Sequence, residues 1–170
     1  TIGTDGGSLS ILGVDCGFGD TVLQLSNLLH QKGAACSIHG ITSQKQYVKD
    51  MQAICQKSYT AISEQALLDF LRQGFKGQQY HYIYLSLPLE RYTKWKAVLS
   101  GLHRRLRPDG VLLLSVSNML STANYLWLSA LYFPASQEQI CYLNPNAVEA
   151  HLAKMFQTVQ KEAVSARVSP

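Results

Sequence analysis

Charge is scarce in this sequence: charged residues make up 15% of the 170, while hydrophobic residues reach 46%. That balance excludes a disordered segment, which would be rich in charge and poor in apolar side chains. Apolar runs of the ~20 residues needed to span a bilayer are missing as well. The nearest approach, residues 111–133, is interrupted by Ser115, Ser117, Asn118, Ser121, Thr122 and Asn124, so no transmembrane segment is expected. The four cysteines, Cys16, Cys36, Cys55 and Cys141, form no CxxC pair and show no zinc spacing. No metal site is expected, and the thiols read as reduced core residues of a cytoplasmic protein. No secretion signal opens the chain, which starts on Thr1, and residues 1–170 are read as a single domain excised from a larger protein. The net charge is only +4, and the basic residues are scattered apart from His103, Arg104, Arg105 and Arg107. That group reads as a solvated helix end, so nucleic acid is not an expected partner. Internal repeats and low-complexity stretches are absent too.

What the chain does have is an alternation of strand and helix patterns. Residues 9–14 are a short apolar run ending in a glycine turn, as a strand buried on both faces should be. Asp20 is placed to cap a helix with Val22, Leu25, Leu28 and Leu29 on its inner face, ended by Gly33. Residues 35–41 predict a second strand, and Ser43 with Gln46 resembles a capping box for a helix carrying Tyr47, Met51, Ile54 and Cys55. Residues 58–62 are a weak strand before a helix bearing Ala66, Leu67, Phe70 and Leu71. Residues 80–87 predict a strand whose Tyr80, Tyr82 and Tyr84 point to one side. A helix follows with Trp95, Val98, Leu99, Leu102 and Leu106 buried. Pro108, Asp109 and Gly110 then predict a turn before the most apolar strand, 111–116. The last helix starts with Asn144 as cap and Pro145 at its first position, burying Val148, Leu152 and Met155, and residues 157–168 supply one further strand. Strands alternating with helices of this length predict an α/β fold, a mostly parallel sheet doubly wound by helices.

Ligands of such sheets bind at the carboxyl ends of the strands, where strand order reverses. After the first strand the chain reads Gly13, Val14, Asp15, Cys16, Gly17, Phe18, Gly19, Asp20. Glycines there admit unusual backbone angles and keep side chains away from a ligand. A dinucleotide site would need GxGxxG and an acid ending the second strand, and both are missing, which disfavours an oxidoreductase. His39, on the second strand, is read as a packed or surface residue rather than a ligand.

The stretch ILGVDCGFGD resembles the first motif of class I S-adenosylmethionine-dependent methyltransferases. Three further pieces follow in that family's order: HGITSQKQ (39–46) at the second strand end, YHYIYLSLPLERY (80–92) at the fourth, and HRRLRPDGVLLLSVSN (103–118) at the fifth. The resemblance covers roughly residues 8–156 and implies a Rossmann-like methyltransferase fold with S-adenosylmethionine as cofactor. It places Gly13, Asp15, Cys16, Gly17, Gly19, Thr42, Ser43 and Ser86 in the cofactor site, and Glu90 and Arg91 beside the cleft as catalytic candidates that orient an acceptor. A capping role near a helix N-terminus is the structural alternative for Glu90.

The motifs are degenerate. The family's strand-end acid falls on Gly13 and its first glycine on Asp15, the ribose-gripping acid falls on Thr42, and the fourth motif's acid falls on His81. Each lost charge-assisted hydrogen bond weakens binding by ~1.5 to 3 kcal/mol, so two cost about two to four powers of ten in affinity. Two readings therefore stand side by side: a methyltransferase domain, or a catalytically inactive pseudoenzyme that has lost the cofactor and serves as a structural or protein-interaction module. Aromatic residues between 119 and 143 (Tyr125, Trp127, Tyr132, Phe133, Tyr142) suit either a small-molecule, lipid-like or protein-bound methyl acceptor or packing against other domains of a larger protein.

Overall fold

The structure, a computed structural model, describes residues 8–17, 19–116 and 143–162. Its centre is a five-stranded parallel sheet in the order β3-β2-β1-β4-β5, formed by β1 (Leu9–Val14), β2 (Cys36–Thr42), β3 (Lys57–Thr60), β4 (Tyr80–Leu85) and β5 (Leu106–Leu114). Every residue of β1 is buried, because this strand lies between β2 and β4 and is covered on both faces. The chain first moves outward from β1 through β2 to β3, then crosses back to β4 and β5. Right-handed crossovers in the two directions put their helices on opposite faces. Accordingly α1 (Asp20–Gln31) and α2 (Val48–Ile54) pack with Leu9, Ile11 and Ile38 on one face. On the other, α3 (Glu64–Gln73), α4 (Trp95–Arg105) and α5 (Pro145–Leu152) pack with Leu12, Val14, Ile41, Ile83 and Leu85. The predicted doubly wound α/β architecture is the one observed. No helix among the described residues is long and apolar enough to cross a membrane.

Local differences from the sequence reading have identifiable causes. Asp20 opens α1 instead of capping it; the cap is Gly19 at φ 85. On α1 only Val22 and Leu29 are buried, and Leu28 is 57% exposed, since this helix covers the sheet with a narrower stripe than its sequence offers. The Ser43 and Gln46 pair forms no capping box: a 3-10 turn, Lys45–Tyr47, leads into α2 without a side-chain cap. β3 is shorter than expected, and the side chain of Ser63 caps α3 by accepting from the Ala66 N–H at 3.1 Å. Leu106, expected on the buried stripe of α4, is instead the first residue of β5. Pro108, Asp109 and Gly110, expected to form a turn ahead of the strand, lie within it. They fall where the β4 register slips, with Tyr80 opposite Leu106 but Tyr82 opposite Val111. The slip also breaks the tyrosine alternation: Tyr80 belongs to the core under α3 and α4, and Tyr82 and Tyr84 pack against the α1 and α2 side. In the basic group, Arg105 is buried, and only its neighbours His103, Arg104 and Arg107 are exposed. The final helix starts as expected, with the Asn144 side chain accepting from the Asn146 N–H and Pro145 opening it, but of its expected inner face only Val148 is buried, Leu152 is half-buried and Met155 lies beyond its end. Residues 157–162 form no strand, and residues 163–168 lie outside the described residues, as do Phe18, Cys141 and the aromatic residues of the 119–142 stretch.

Two histidines are part of this framework. His39 is buried, with Nδ1 2.9 Å from the Tyr80 hydroxyl, so of the packed and surface placements it takes the packed one. His81 sits below the β1–β4 ladder, where its Nδ1 accepts the Ser10 N–H at 3.0 Å and so completes the backbone pairing that the ladder leaves open. Burial holds both imidazoles below the usual histidine range, helped by Lys57 for His39 and by Arg107 for His81, where Asp109 opposes the shift. The Ser10 bond requires a neutral His81 ring nitrogen as acceptor. With the folded values depressed, the unfolded chain takes up protons first as pH falls below about 6.5, and stability present above that pH is lost on acidification. Thermal unfolding across a pH series is expected to show a steady midpoint at neutral pH that declines through the histidine range. The double variant His39→Gln/His81→Gln should have a shallower decline, and an unchanged slope would contradict this assignment.

Candidate functional site

Strand order reverses between β1 and β4, and the segments leaving β1, β2 and β4 meet at one carboxyl rim. Asp15 is the first residue beyond β1, and its N–H donates to the Ile41 carbonyl at 2.8 Å, prolonging the pairing with β2. Its φ is 52, the left-handed region that aspartate tolerates better than most non-glycine residues. From that conformation the carboxylate accepts two hydrogen bonds, from the Ser43 N–H to Oδ1 at 2.7 Å and from the Tyr92 hydroxyl to Oδ2 at 2.7 Å. Bonds to an ionised acceptor contribute about 1.5 to 3 kcal/mol each. Burial, and then the Asp15 charge, pushes the Tyr92 phenol well above the tyrosine range, so it remains a donor. One carboxylate thus joins the segments that leave β1, β2 and β4.

The next residues turn away from the rim. Cys16 is buried, its Sγ 3.9 Å from Met51 Sδ. Burial, with a contribution from Cys55, pushes its thiol up to about 12, and burial pushes Cys55 to about 11, so neither is a nucleophile at neutral pH. Only the backbone of Cys16 faces the loop, where its carbonyl accepts the Gly19 N–H at 2.7 Å. Gly17 has φ 52, and among the described residues nothing beyond its chain neighbours lies within 4 Å of where a side chain would start. Gly19, also left-handed, packs on Ile54 and Met51 of α2 instead.

The remaining candidates are distributed around this loop. Thr42 is buried, and its hydroxyl is engaged in a local turn, donating to the Gln44 carbonyl at 3.3 Å and accepting the Gln44 N–H at 3.2 Å. Ser43 presents its backbone N–H to Asp15, and Ser86 donates its N–H to the Val14 carbonyl at 3.0 Å while its side chain is half-buried. Glu90 and Arg91 share a 3-10 turn, Leu89–Arg91, held by the Leu89 N–H on the Ser115 carbonyl at 3.1 Å; Glu90 is buried and Arg91 exposed. At the N-terminus of α4, Glu64 accepts the Lys94 N–H at 2.6 Å and the Thr93 hydroxyl at 2.5 Å. Sequence reasoning gave no role to Tyr92 or Glu64. Both act across long stretches of chain, and no local spacing announces them.

Gly13 was aligned with the family's strand-end acid. Here a Cβ on Gly13 would meet Cys16 Sγ at 2.5 Å and Val22 Cγ2 at 2.6 Å, so the space an acid would need is filled by α1 and the turn. Gly13→Asp is expected to lower the unfolding free energy by about 3 kcal/mol, from overpacking together with a buried carboxylate. Gly17→Ala, strained in backbone but meeting no described neighbour, should cost only about 1 kcal/mol. Urea unfolding of the two variants checks this ranking, and a neutral Gly13→Asp would contradict the packing described.

No protein-family profile matches the sequence, and no curated protein gives a significant sequence match. Solved structures do match the fold. The CurJ carbon methyltransferase superposes with a TM-score of 0.63 at 17% identity, over 97% of this chain and 46% of that one. The citrinin polyketide synthase CMeT domain gives a TM-score of 0.60 at 16% identity, over 90% and 41%. The plantazolicin methyltransferase BpumL, solved in complex with SAH, gives 0.60 at 17%, over 88% and 56%. The chain therefore spans about half the length of these proteins. At such identities the likeness is one of fold, and that fold is the Rossmann-like α/β fold of class I S-adenosylmethionine-dependent methyltransferases.

Proposed function

We propose that this chain is a methyltransferase domain that takes S-adenosylmethionine at the carboxyl rim between β1 and β4. The observation that carries the reading is Gly17: a left-handed residue at the point of strand reversal, with no described residue against its side-chain position. A glycine at that point lets a nucleotide-sized ligand approach the backbone. The residues present fit the cofactor in part. Gly17 and Ser86 would offer backbone and hydroxyl contacts, and Asp15 carries a carboxylate at the start of the loop. Thr42 supplies no charge for the ribose. S-adenosylmethionine, when bound, supplies an electrophilic methyl group on a sulfonium centre. The protein's part is then mostly alignment of the acceptor, for which Glu90 and Arg91 remain the candidates. The acceptor class follows the sequence reading: a small, lipid-like or protein-bound group, in a domain belonging to a larger protein.

A second reading, a scaffold without cofactor, is favoured by one specific feature. Both Asp15 oxygens are already occupied by Ser43 and Tyr92, and a ligand ammonium would have to compete with them.

Calorimetric titration with S-adenosylmethionine and its demethylated product separates the two. The methyltransferase reading expects saturable heat that Gly17→Val, which places a side chain at that position, abolishes without unfolding the chain. A flat titration up to about 1 mM ligand, repeated with Asp15→Gly, would overturn it in favour of the scaffold.

A further inference from the structure

At the opposite end of the sheet from the Asp15 loop, α3 and α4 finish just before the chain enters β4 and β5. Between their last turns lies a cavity of about 280 Å³ lined by Leu71, Arg72, Arg104 and Arg105. Arginines near helix C-termini ordinarily satisfy terminal carbonyls, and Arg105 does so in part, its Nε donating to the Leu71 carbonyl at 2.7 Å. That duty accounts for one nitrogen. Arg105 is only 6% exposed, and its Nη2 is buried with no hydrogen-bond partner. A buried guanidinium nitrogen without an acceptor is costly. Nor do neighbouring acids neutralise the group. Asp69 pairs with Arg72 at 3.7 Å, and both side chains are largely in solvent; Asp109 pairs with Arg107, outside the cavity. Among the described residues, Arg72, Arg104 and Arg105 line the cavity, no carboxylate does, and Asp69 pairs with Arg72 outside it.

We propose that this cavity is an oxyanion site that takes a phosphate group. Guanidinium forks match the oxygens of phosphate and carboxylate alike. Three arginines approaching from two helices suit a tetrahedral anion with three free oxygens better than a planar one with two. The volume sits at the small end of ligand pockets, so the ligand is free phosphate or a compact phosphomonoester. The site lies at the amino ends of the strands, remote from the carboxyl rim, and stands whether or not that rim binds a cofactor.

The test is titration of the full chain with inorganic phosphate and, separately, with glycerol 3-phosphate, at constant ionic strength set with sodium chloride. Binding is read by the thermal midpoint and by phosphorus NMR line width. A saturable rise is expected. Arg72→Gln and Arg104→Gln, both at exposed positions, should each weaken it about tenfold while leaving the phosphate-free midpoint in place. Arg107→Gln, outside the cavity, should leave it unaltered. Tighter binding of the ester identifies a phosphomonoester as the ligand, and equal binding identifies the free anion. A rise that never saturates, or one that all three variants share equally, is the general effect of phosphate on protein surfaces and overturns the proposal.

Discussion

The Asp15 carboxylate is the tie on which the geometry of the rim depends. It forces a non-glycine residue into the left-handed region, and two charge-assisted hydrogen bonds offset that strain by joining the ends of β1 and β2 to Tyr92. Once Asp15 points this way, Cys16 is carried into the core under α2 and Gly17 follows it in the left-handed region. The same turn of the chain closes the space beside Gly13. Asp15 thus holds the loop from outside the strand while the space beside Gly13 is filled.

Much of the scaffold was legible in the sequence because β1 and most of β2 are buried from both sides. Runs such as LSILGV and CSIHGI carry that signal without help from the rest of the chain. What failed to show was set by contacts distant in sequence. Ser43 looks like a helix cap until Asp15, 28 residues away, claims its N–H. Pro108-Asp109-Gly110 has turn chemistry, yet it occupies an irregular stretch of β5 because Leu106 already pairs with Tyr80. Tyr92 lies 77 residues from Asp15, and no periodicity or motif spacing connects them. Glu64 is similarly hidden, since its partners lie on the segment before α4.

The domain divides its polar chemistry between two ends. At the carboxyl rim the side-chain groups include the carboxylates of Asp15, Glu64 and Glu90, with backbone N–H groups and hydroxyls between them. The amino end carries the buried and exposed arginines of α3 and α4. The basic group that reads in sequence as a solvated helix end is therefore two things: Arg105 is a buried structural residue fixed to Leu71, and its neighbours are surface charges. The division follows from topology, because every parallel crossover places loop backbones at one rim and helix C-termini at the other.

The most direct measurement is an NMR map of backbone amide shifts on addition of S-adenosylhomocysteine, the demethylated cofactor. If the loop after β1 is an adenosyl pocket, the perturbed amides are those of Gly17, Gly19, Ser43 and Ser86, with Tyr92 following as its bond to Asp15 responds. A spectrum that does not change, or changes centred on residues away from this rim, would contradict that assignment.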